Sequence, residues 1–140
     1  IDYEFCTGCQ SCEVACKEEH HIPVGQWGIR LLDDGPWECS DGKFNWNKIP
    51  TPTRLCDLCA DRVAEGKQPI CVEACPLRAL DFGEKGDIFE RHAEWWDEER
   101  GDILPLPSET ETGPNLFIRP CPAAAQGRKG ALVNRKEIGL

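Results

Sequence analysis

Eight of the ten cysteines in this sequence fall into two groups of closely spaced thiols. The first group lies in CTGCQSCEVAC, where gaps of two, two and three residues separate the cysteines. The second group begins and ends in the same way, with CDLC and CVEAC, but eleven residues separate its second and third cysteines. The two groups are Cys6, Cys9, Cys12 and Cys16, and Cys56, Cys59, Cys71 and Cys75. We interpret them as one motif used twice, with an excursion inserted in the second copy.

The spacing C-x2-C-x2-C-x3-C followed by proline is typical of cubane iron–sulfur clusters. Short gaps let three thiolates converge on one cubane, and we expect the fourth cysteine to begin a helix that leads toward a different centre. In two-cluster ferredoxins this fourth cysteine ligates the other cluster. The sequence therefore predicts two [4Fe–4S] clusters with one ligand exchanged between the motifs. The predicted ligand sets are Cys6, Cys9, Cys12 and Cys75 for one cluster, and Cys56, Cys59, Cys71 and Cys16 for the other.

Closely spaced cysteines also occur in zinc sites and in disulfide-bonded proteins. Eight cysteines can bind two zinc ions, but zinc sites usually supply paired C-x2–4-C knuckles, and three thiols in one short loop suit a cubane better. A disulfide framework belongs to oxidising compartments. Only the second motif carries the trailing proline, Pro76, because Lys17 follows the first motif. The repeat favours clusters over both alternatives more than either motif does alone.

The remaining candidate residues have weaker patterns. Cys39 is expected to be a buried free thiol, and Cys121, which precedes a proline, is expected to be structural. The three histidines, His20, His21 and His92, have no ligand spacing with one another, so we expect surface or helix-packing roles. No paired catalytic carboxylates, nucleophile–base arrangement or glycine-rich phosphate loop stands out. The sequence thus indicates electron transfer with no catalytic residues in this chain.

The segments around the cysteines predict an α+β, ferredoxin-like domain with pseudo-twofold symmetry. IDYEF alternates and predicts a short strand that enters the first loop, and CEVACKEEHH has helical character behind that loop. DRVAEG predicts a helical turn closed by Gly66, and RALDFG predicts a strand that leaves the second loop. Strand, cysteine loop, helix and strand, repeated once, give this arrangement.

Residues 17–55 form an insertion between the cysteine motifs. Within it, WECSDGKFNW holds an Asp-Gly pair flanked by alternating residues, which predicts a hairpin over 37–46. With Asp-Gly as the turn, Cys39 pairs with Phe44 and Trp37 pairs with Trp46. These four residues then share one face of the hairpin.

The composition changes after Gly83, so we divide the chain into a dicluster domain at 1–83 and a C-terminal segment at 84–140. A helix is expected over 87–100, and NLFIR is a possible strand. The remainder is rich in proline, glycine and charge and is expected to be extended. The apolar and aromatic stripe on the expected helix consists of Ile88, Phe89, His92, Trp95 and Trp96. We expect this segment to pack on the domain and on a partner.

Charge and hydropathy exclude some functions. The 140 residues carry a net charge of −9, from 25 acidic and 16 basic side chains, which argues against a nucleic-acid partner. No apolar run approaches the roughly 18 residues of a membrane-spanning helix. No secretory signal pattern is visible, and we expect a cytoplasmic protein.

Two segments resemble a known family. CTGCQSCEVACKEEH resembles the first cysteine motif of the iron–sulfur subunits of the dimethyl sulfoxide reductase family of molybdoenzymes. CDLCADRVAEGKQPICVEACPLRALDFG resembles their last motif, including the long third gap, and ILPLPS and TGPNLFIRP resemble their C-terminal portion. In the family the first and last motifs share a cluster pair by cross-ligation. Larger members carry two further cysteine motifs, whereas residues 17–55 here contain only Cys39, so we predict two clusters.

The resemblance implies a partner, a large catalytic subunit with a molybdenum or tungsten bis-pterin cofactor. The leading hypothesis is therefore an electron-transfer subunit of such a complex, and residues 84–140 with the hairpin at 37–46 are expected to dock on the partner. The resemblance also allows export together with a catalytic partner that carries the signal. The alternatives are a free-standing soluble dicluster ferredoxin and a zinc-binding interaction module.

Overall fold

The structure is a computed structural model that describes residues 1–38, 42–93, 104–106 and 116–118. It is a mixed α and β arrangement of short helices around the cysteine loops, with two small two-stranded sheets among the described residues. The first element is a 3-10 turn at Tyr3–Phe5. The helices are α1 Ser11–Glu19, α2 Ala60–Ala64, α3 Ile70–Ala74 and α4 Lys85–Arg91, and the strands are β1 Ile29–Glu38, β2 Phe44–Pro52, β3 Leu104–Leu106 and β4 Leu116–Ile118.

Helix α1 confirms the helix predicted over CEVACKEEHH, but the expected position of the fourth cysteine was wrong. Cys12 and Cys16 both lie inside α1 and both are buried. Cys75 directly follows the end of α3, which carries Cys71. The C-x3-C spacing corresponds to about one helical turn, so the fourth cysteine lies within or directly after the helix that carries the third and does not begin a new one.

The two predicted strands next to the cysteine loops are absent from the described residues. The side chain of Asp2 accepts a hydrogen bond from Glu4 N (3.2 Å) and so caps a 3-10 turn where IDYEF was predicted to be extended. The segment RALDFG after the second loop is irregular. One backbone bond, from Asp2 N to Ala79 O (2.9 Å), joins the two segments. The pseudo-twofold symmetry stays a prediction.

The excursion in the second motif forms helix α2, as DRVAEG predicted, and Gly66 follows it with a φ of +77°. The Arg62 guanidinium on this helix binds Glu19 at the end of α1 (3.3 Å) and Glu73 on α3 (2.6 Å). Its Nε also donates to Gln68 O (3.1 Å). The long gap of the second motif therefore ties together α1, which carries Cys12 and Cys16, and α3, which carries Cys71.

Strands β1 and β2 form an antiparallel hairpin that is longer than predicted and has a different register. Trp37 pairs with Asn45 instead of Trp46, and the difference is already present at the pair of Glu38 with Phe44. Farther along the strands, a bulge at 35–36 sets two residues of β1 against one of β2 and shifts the register again. Phe44 and Trp46 are 74% and 59% exposed, so the predicted apolar face is not buried. Cys39 lies outside the described residues.

Helix α4 begins two residues earlier than predicted and ends at Arg91, since His92 leaves the helical conformation with a φ of −118°. Arg91 and His92 both bind Asp81, and the shortest of these contacts is 2.7 Å from His92 Nε2. The strand predicted at NLFIR is present at Leu116–Ile118 and pairs antiparallel with β3. Trp95, Trp96, Cys121 and the predicted tail lie outside the described residues. The division at residue 83 stays a prediction.

The buried core of the described residues forms around the cysteine helices. It consists of Ile1, Tyr3, Cys12, Cys16, Ile29 and Leu80. In the part of the sequence that the structure describes, no helix is both long and apolar enough to cross a bilayer.

Candidate metal centre

The first cavity lies where the first cysteine loop meets the end of α3. It has an open volume of about 350 Å³, and the apolar side chains of Leu31, Pro50 and Leu80 form part of its wall. Four thiols line it: Cys6, Cys9, Cys12 and Cys75. Three come from the first motif and the fourth from the second. Cys12 is buried, whereas Cys9 is exposed at the rim.

The second cavity lies between the second cysteine loop and α1, with an open volume of about 730 Å³. Ile29, Val72 and Leu80 contribute apolar walls, so Leu80 separates the two cavities and lines both. Its four thiols are Cys16, Cys56, Cys59 and Cys71. Here the first motif supplies one cysteine and the second motif supplies three.

The two cavities divide the eight thiols in the same way as the predicted ligand sets, although iron ligation itself stays a prediction. The structure thus brings together cysteines that are far apart in the sequence, such as Cys6 with Cys75 and Cys16 with Cys59. Cys71 lies close enough to Cys12 for each thiolate to disfavour the other, so the two cavities are neighbours. All eight described cysteines are free thiols, which disfavours the disulfide alternative.

Backbone N–H groups favour the thiolate form of most of these cysteines. Ala79 N donates to Cys75 Sγ at 3.3 Å. At five further thiols a backbone N–H acts to lower the pKa, and these pairs are Cys6 with Gly8, Cys9 with Ser11, Cys12 with Glu13, Cys16 with Ile29 and Cys59 with Ile70. Such donors stabilise the negative charge of a thiolate. The backbone is therefore arranged for ligating sulfur.

The thiols differ in how readily they lose their protons. Burial raises the pKa of Cys71 to about 12 and the pKa of Cys12 to about 11. At Cys9 the hydroxyl of Ser11, 3.4 Å from Sγ, and the Ser11 backbone N–H lower the pKa. Buried thiolates with pKa values this high need a compensating positive charge, which bound iron or zinc supplies.

The backbone before β1 approaches Cys16 very closely. A Cβ atom at position 28 would lie 2.6 Å from Cys16 Sγ, so Gly28 is the residue that this approach permits. The backbone N–H of the next residue, Ile29, acts to lower the pKa of the same thiol against the effect of burial. Glu13 on α1 also holds β1 close to this helix, since its carboxylate accepts a hydrogen bond from the Leu31 N–H.

Comparisons with known proteins also indicate an iron–sulfur protein. The model of the 4Fe-4S dicluster domain family matches residues 33–85, which include the second motif. The B subunit of the anaerobic dimethyl sulfoxide reductase of Escherichia coli (strain K12) is 35% identical over 99% of this chain and 55% of its own length. This chain is homologous to the iron–sulfur subunits of dimethyl sulfoxide reductases. The family resemblance of the cysteine motifs is therefore confirmed.

Other relatives are also B subunits of reductases. The B subunit of the anaerobic dimethyl sulfoxide reductase of Haemophilus influenzae is 30% identical over 99% of this chain and 55% of its own length. The B subunit of the polysulfide reductase of Wolinella succinogenes is 24% identical over 61% of this chain and 75% of its own length. The chain spans about half the length of the dimethyl sulfoxide reductase subunits it matches.

The spacing of the sulfur atoms in this dimethyl sulfoxide reductase homologue fits a cubane better than zinc. Around one tetrahedral zinc ion with bonds of about 2.3 Å, the four sulfur atoms lie about 3.8 Å apart. Among the described residues, no three cysteine sulfurs lie within 4.8 Å of one another. A cubane places its four irons at separate corners and takes thiolates that are farther apart. The iron–sulfur interpretation therefore passes this test.

One residue of the second cavity was not predicted from the sequence. His20 was expected to have a surface or packing role, but its Nε2 lies 3.1 Å from Cys59 Sγ. The same nitrogen lies 3.9 Å from Asp57 Oδ1, and Asp57 also accepts the Cys59 N–H at 2.8 Å. The available signal was that His20 follows Cys16 by one helical turn, so both can face the same cavity. His21 and His92 are not among the residues that line the two cavities.

Proposed function

We propose that this chain is an electron-transfer subunit that carries two [4Fe–4S] clusters and relays electrons to or from a molybdenum or tungsten bis-pterin catalytic subunit. The observation that carries the proposal is the pair of adjacent four-cysteine cavities, each completed by a cysteine of the other motif. Homology to the B subunits of dimethyl sulfoxide and polysulfide reductases supports an electron-transfer role.

The proposed ligands are the four thiols of each cavity. A bound cubane supplies a centre that accepts and returns one electron. The protein's own residues prepare the sites: backbone N–H groups stabilise thiolate charge, and Leu31, Pro50 and Leu80 exclude water from the first cavity. The shared wall at Leu80 keeps the two centres close, and the exposed rim at Cys9 offers a point where electrons enter or leave.

The proposed partner is a larger catalytic subunit. Several relatives are named as the B component of a reductase, a name that belongs to one polypeptide of a multisubunit protein. The exposed Phe44 and Trp46 near the hairpin tip support docking there, because aromatic side chains are enriched at interface hot spots. The same proposal includes residues 84–140. We propose the cytoplasm as the compartment, or export together with the catalytic partner.

Metal analysis of anaerobically purified protein tests the cofactor. We expect about eight irons and eight sulfides per chain, as two cubanes require. Stoichiometric zinc without iron would overturn the proposal in favour of the zinc-binding module.

Purification from the native source tests the partner. The chain should elute with a much larger subunit and with molybdenum or tungsten. Recovery of a stable iron-loaded monomer without a large subunit would instead favour the free-standing soluble ferredoxin. The two measurements are independent, so the cofactor and the partner can fail separately.

A further inference from the structure

His20 occupies a position from which it contacts a cysteine of the second cavity. It is the residue that ends α1, and its backbone N–H donates to Cys16 O at 3.1 Å. This bond fixes the imidazole one turn beyond Cys16, on the side of the helix that lines the second cavity. Its Nε2 then lies 3.1 Å from Sγ of Cys59, which is 39 residues away in the sequence.

The chemistry of the neighbouring groups decides which atom is the hydrogen-bond donor in this contact. The ligating form of Cys59 is a thiolate, which accepts hydrogen bonds, and the Asp57 carboxylate is also an acceptor. Both groups lie near the same imidazole nitrogen, at 3.1 and 3.9 Å, so Nε2 must carry the proton. Sulfur is the nearer acceptor. Asp57 in addition is already engaged with the Cys59 backbone N–H.

Burial increases the effect of this bond. Cys59 is only 5% exposed, and the His20 side chain is 27% exposed. A hydrogen bond in a dry, low-dielectric site is electrostatically stronger than one in water. Hydrogen bonds to cluster sulfurs are among the factors that set the reduction potential of an iron–sulfur cluster, because they stabilise the more negative, reduced state.

We propose that His20 is a positioning residue that donates its Nε2–H to Cys59 Sγ and thereby raises the reduction potential of the cluster in the second cavity. This inference rests on the proposed function, since it requires that Cys59 ligates a cluster. The first cavity has no corresponding histidine among the described residues that line it. His20 therefore distinguishes two sites that the repeated motif would otherwise make alike.

The test uses redox titrations of the anaerobically purified complex, monitored by electron paramagnetic resonance. His20→Phe keeps a ring of similar size but removes the donor. We expect it to disfavour reduction of the second cluster by on the order of tenfold, which is about 59 mV for a one-electron couple. The first cluster should keep its potential. The second cluster is identified as the one whose signal Cys56→Ser changes.

Two variants separate the hydrogen bond from a structural role. His20→Gln restores an N–H donor and should recover part of the lost potential, whereas a merely structural role predicts no such recovery. His21→Phe is the matched control, because the neighbouring His21 is exposed and should change neither potential. Both clusters present with an unchanged second potential in His20→Phe would overturn the proposal.

A measurement on the wild-type complex covers the case in which His20→Phe loses its cluster. With ¹⁵N-labelled histidine, pulsed paramagnetic resonance should detect one imidazole nitrogen coupled to the reduced second cluster. Absence of that coupling would overturn the His20 proposal while leaving the clusters intact. Absence of iron in the wild-type protein would instead overturn the proposed function itself.

Discussion

The first and second cavities differ in the surroundings of their thiols. In the first cavity Cys9 reaches the solvent and the Ser11 hydroxyl lies beside it. Burial raises the pKa of Cys6, and the nearby Lys48 ammonium partly opposes that rise. In the second cavity Cys59 is buried and the Asp57 carboxylate adds to the burial that raises its pKa. Ligand spacing is repeated between the motifs, but the electrostatic environment is not.

The difference comes from residues that the repeat does not contain. Lys48 belongs to β2, in the insertion between the motifs, and its side chain packs on the first cysteine loop at Gly8. His20 lies beyond the end of the first motif, yet it contacts the second loop. A duplicated ligand pattern can therefore select the same kind of cofactor twice while the intervening residues make the two sites unequal.

The largest expected effect is the loss of one cluster while the other remains, because each cysteine serves a single cavity. Cys12 and Cys16 lie one turn apart on α1 but line different cavities. Cys12→Ser should disturb only the first cluster and Cys16→Ser only the second, as seen in paramagnetic resonance spectra and iron content. Cys59→Ser should reproduce the effect of Cys16→Ser. Loss of the same cluster from both α1 variants would contradict the proposed ligand sets.

The two clusters should differ in their sensitivity to oxidation, because their cysteine ligands differ in exposure to solvent. The rim of the first cavity is open at Cys9, while Cys16 and Cys59 are buried. We expect air or a chelator to remove the first cluster several-fold faster than the second. The measurement follows the two resonance signals over time in one sample. Equal rates would show that exposure of Cys9 does not control access to the iron.

A smaller effect should follow from filling the space beside Cys16. In Gly28→Ala the new methyl group must displace a sulfur 2.6 Å away, and overpacking of this kind costs about 2 kcal/mol. The second cluster should be depleted and the melting temperature lowered, with the first cluster retained. Gly86→Ala is the matched control, because nothing lies within 4 Å of its new methyl group. Full second-cluster content in Gly28→Ala would contradict this expectation.

The smallest effect concerns the backbone of the two C-x2-C loops. Gly8 and Leu58 are equivalent in the repeat, and both have a left-handed backbone, with φ of +76° and +59°. This conformation costs a non-glycine residue about 1–2 kcal/mol. Glycine avoids that cost, but it loses more conformational entropy on folding, which cancels part of the gain. Leu58→Gly should therefore stabilise the protein by about 0.5 kcal/mol. A lower melting temperature at unchanged cluster content would refute it.

The cysteine grouping could be predicted because the spacing is that of two-cluster ferredoxins, in which the fourth cysteine of each motif ligates the other cluster. Thiols two or three residues apart can only share a loop or one helical turn, and α1 and the closure at Gly66 follow from equally local signals. The strand predicted at IDYEF failed because the Asp2 side chain caps a turn, a competition that alternation does not reveal. The hairpin register failed because Glu38 pairs with Phe44, which leaves a longer connection between the strands than a two-residue Asp-Gly turn.

The contact of His20 with Cys59 could not be predicted from local sequence patterns. Its partner Cys59 is 39 residues away, and the sequence does not show that α1 crosses the second loop. Similarly, the contacts of Arg62 with Glu19 and Glu73 depend on the packing of three helices. Residues that act through partners distant in sequence are visible only once the protein is folded.

The exchange of one cysteine between the cavities has a consequence for biosynthesis. Because the second cavity takes Cys71 and the first takes Cys75, neither has its four thiols until translation has passed codon 71, and the first must also wait for codon 75. A ribosome-bound nascent polypeptide that ends before Cys71 offers at most three thiols to each centre. Iron–sulfur insertion must then wait for the whole dicluster region to emerge, so a prematurely terminated product cannot mature into a half-active fragment.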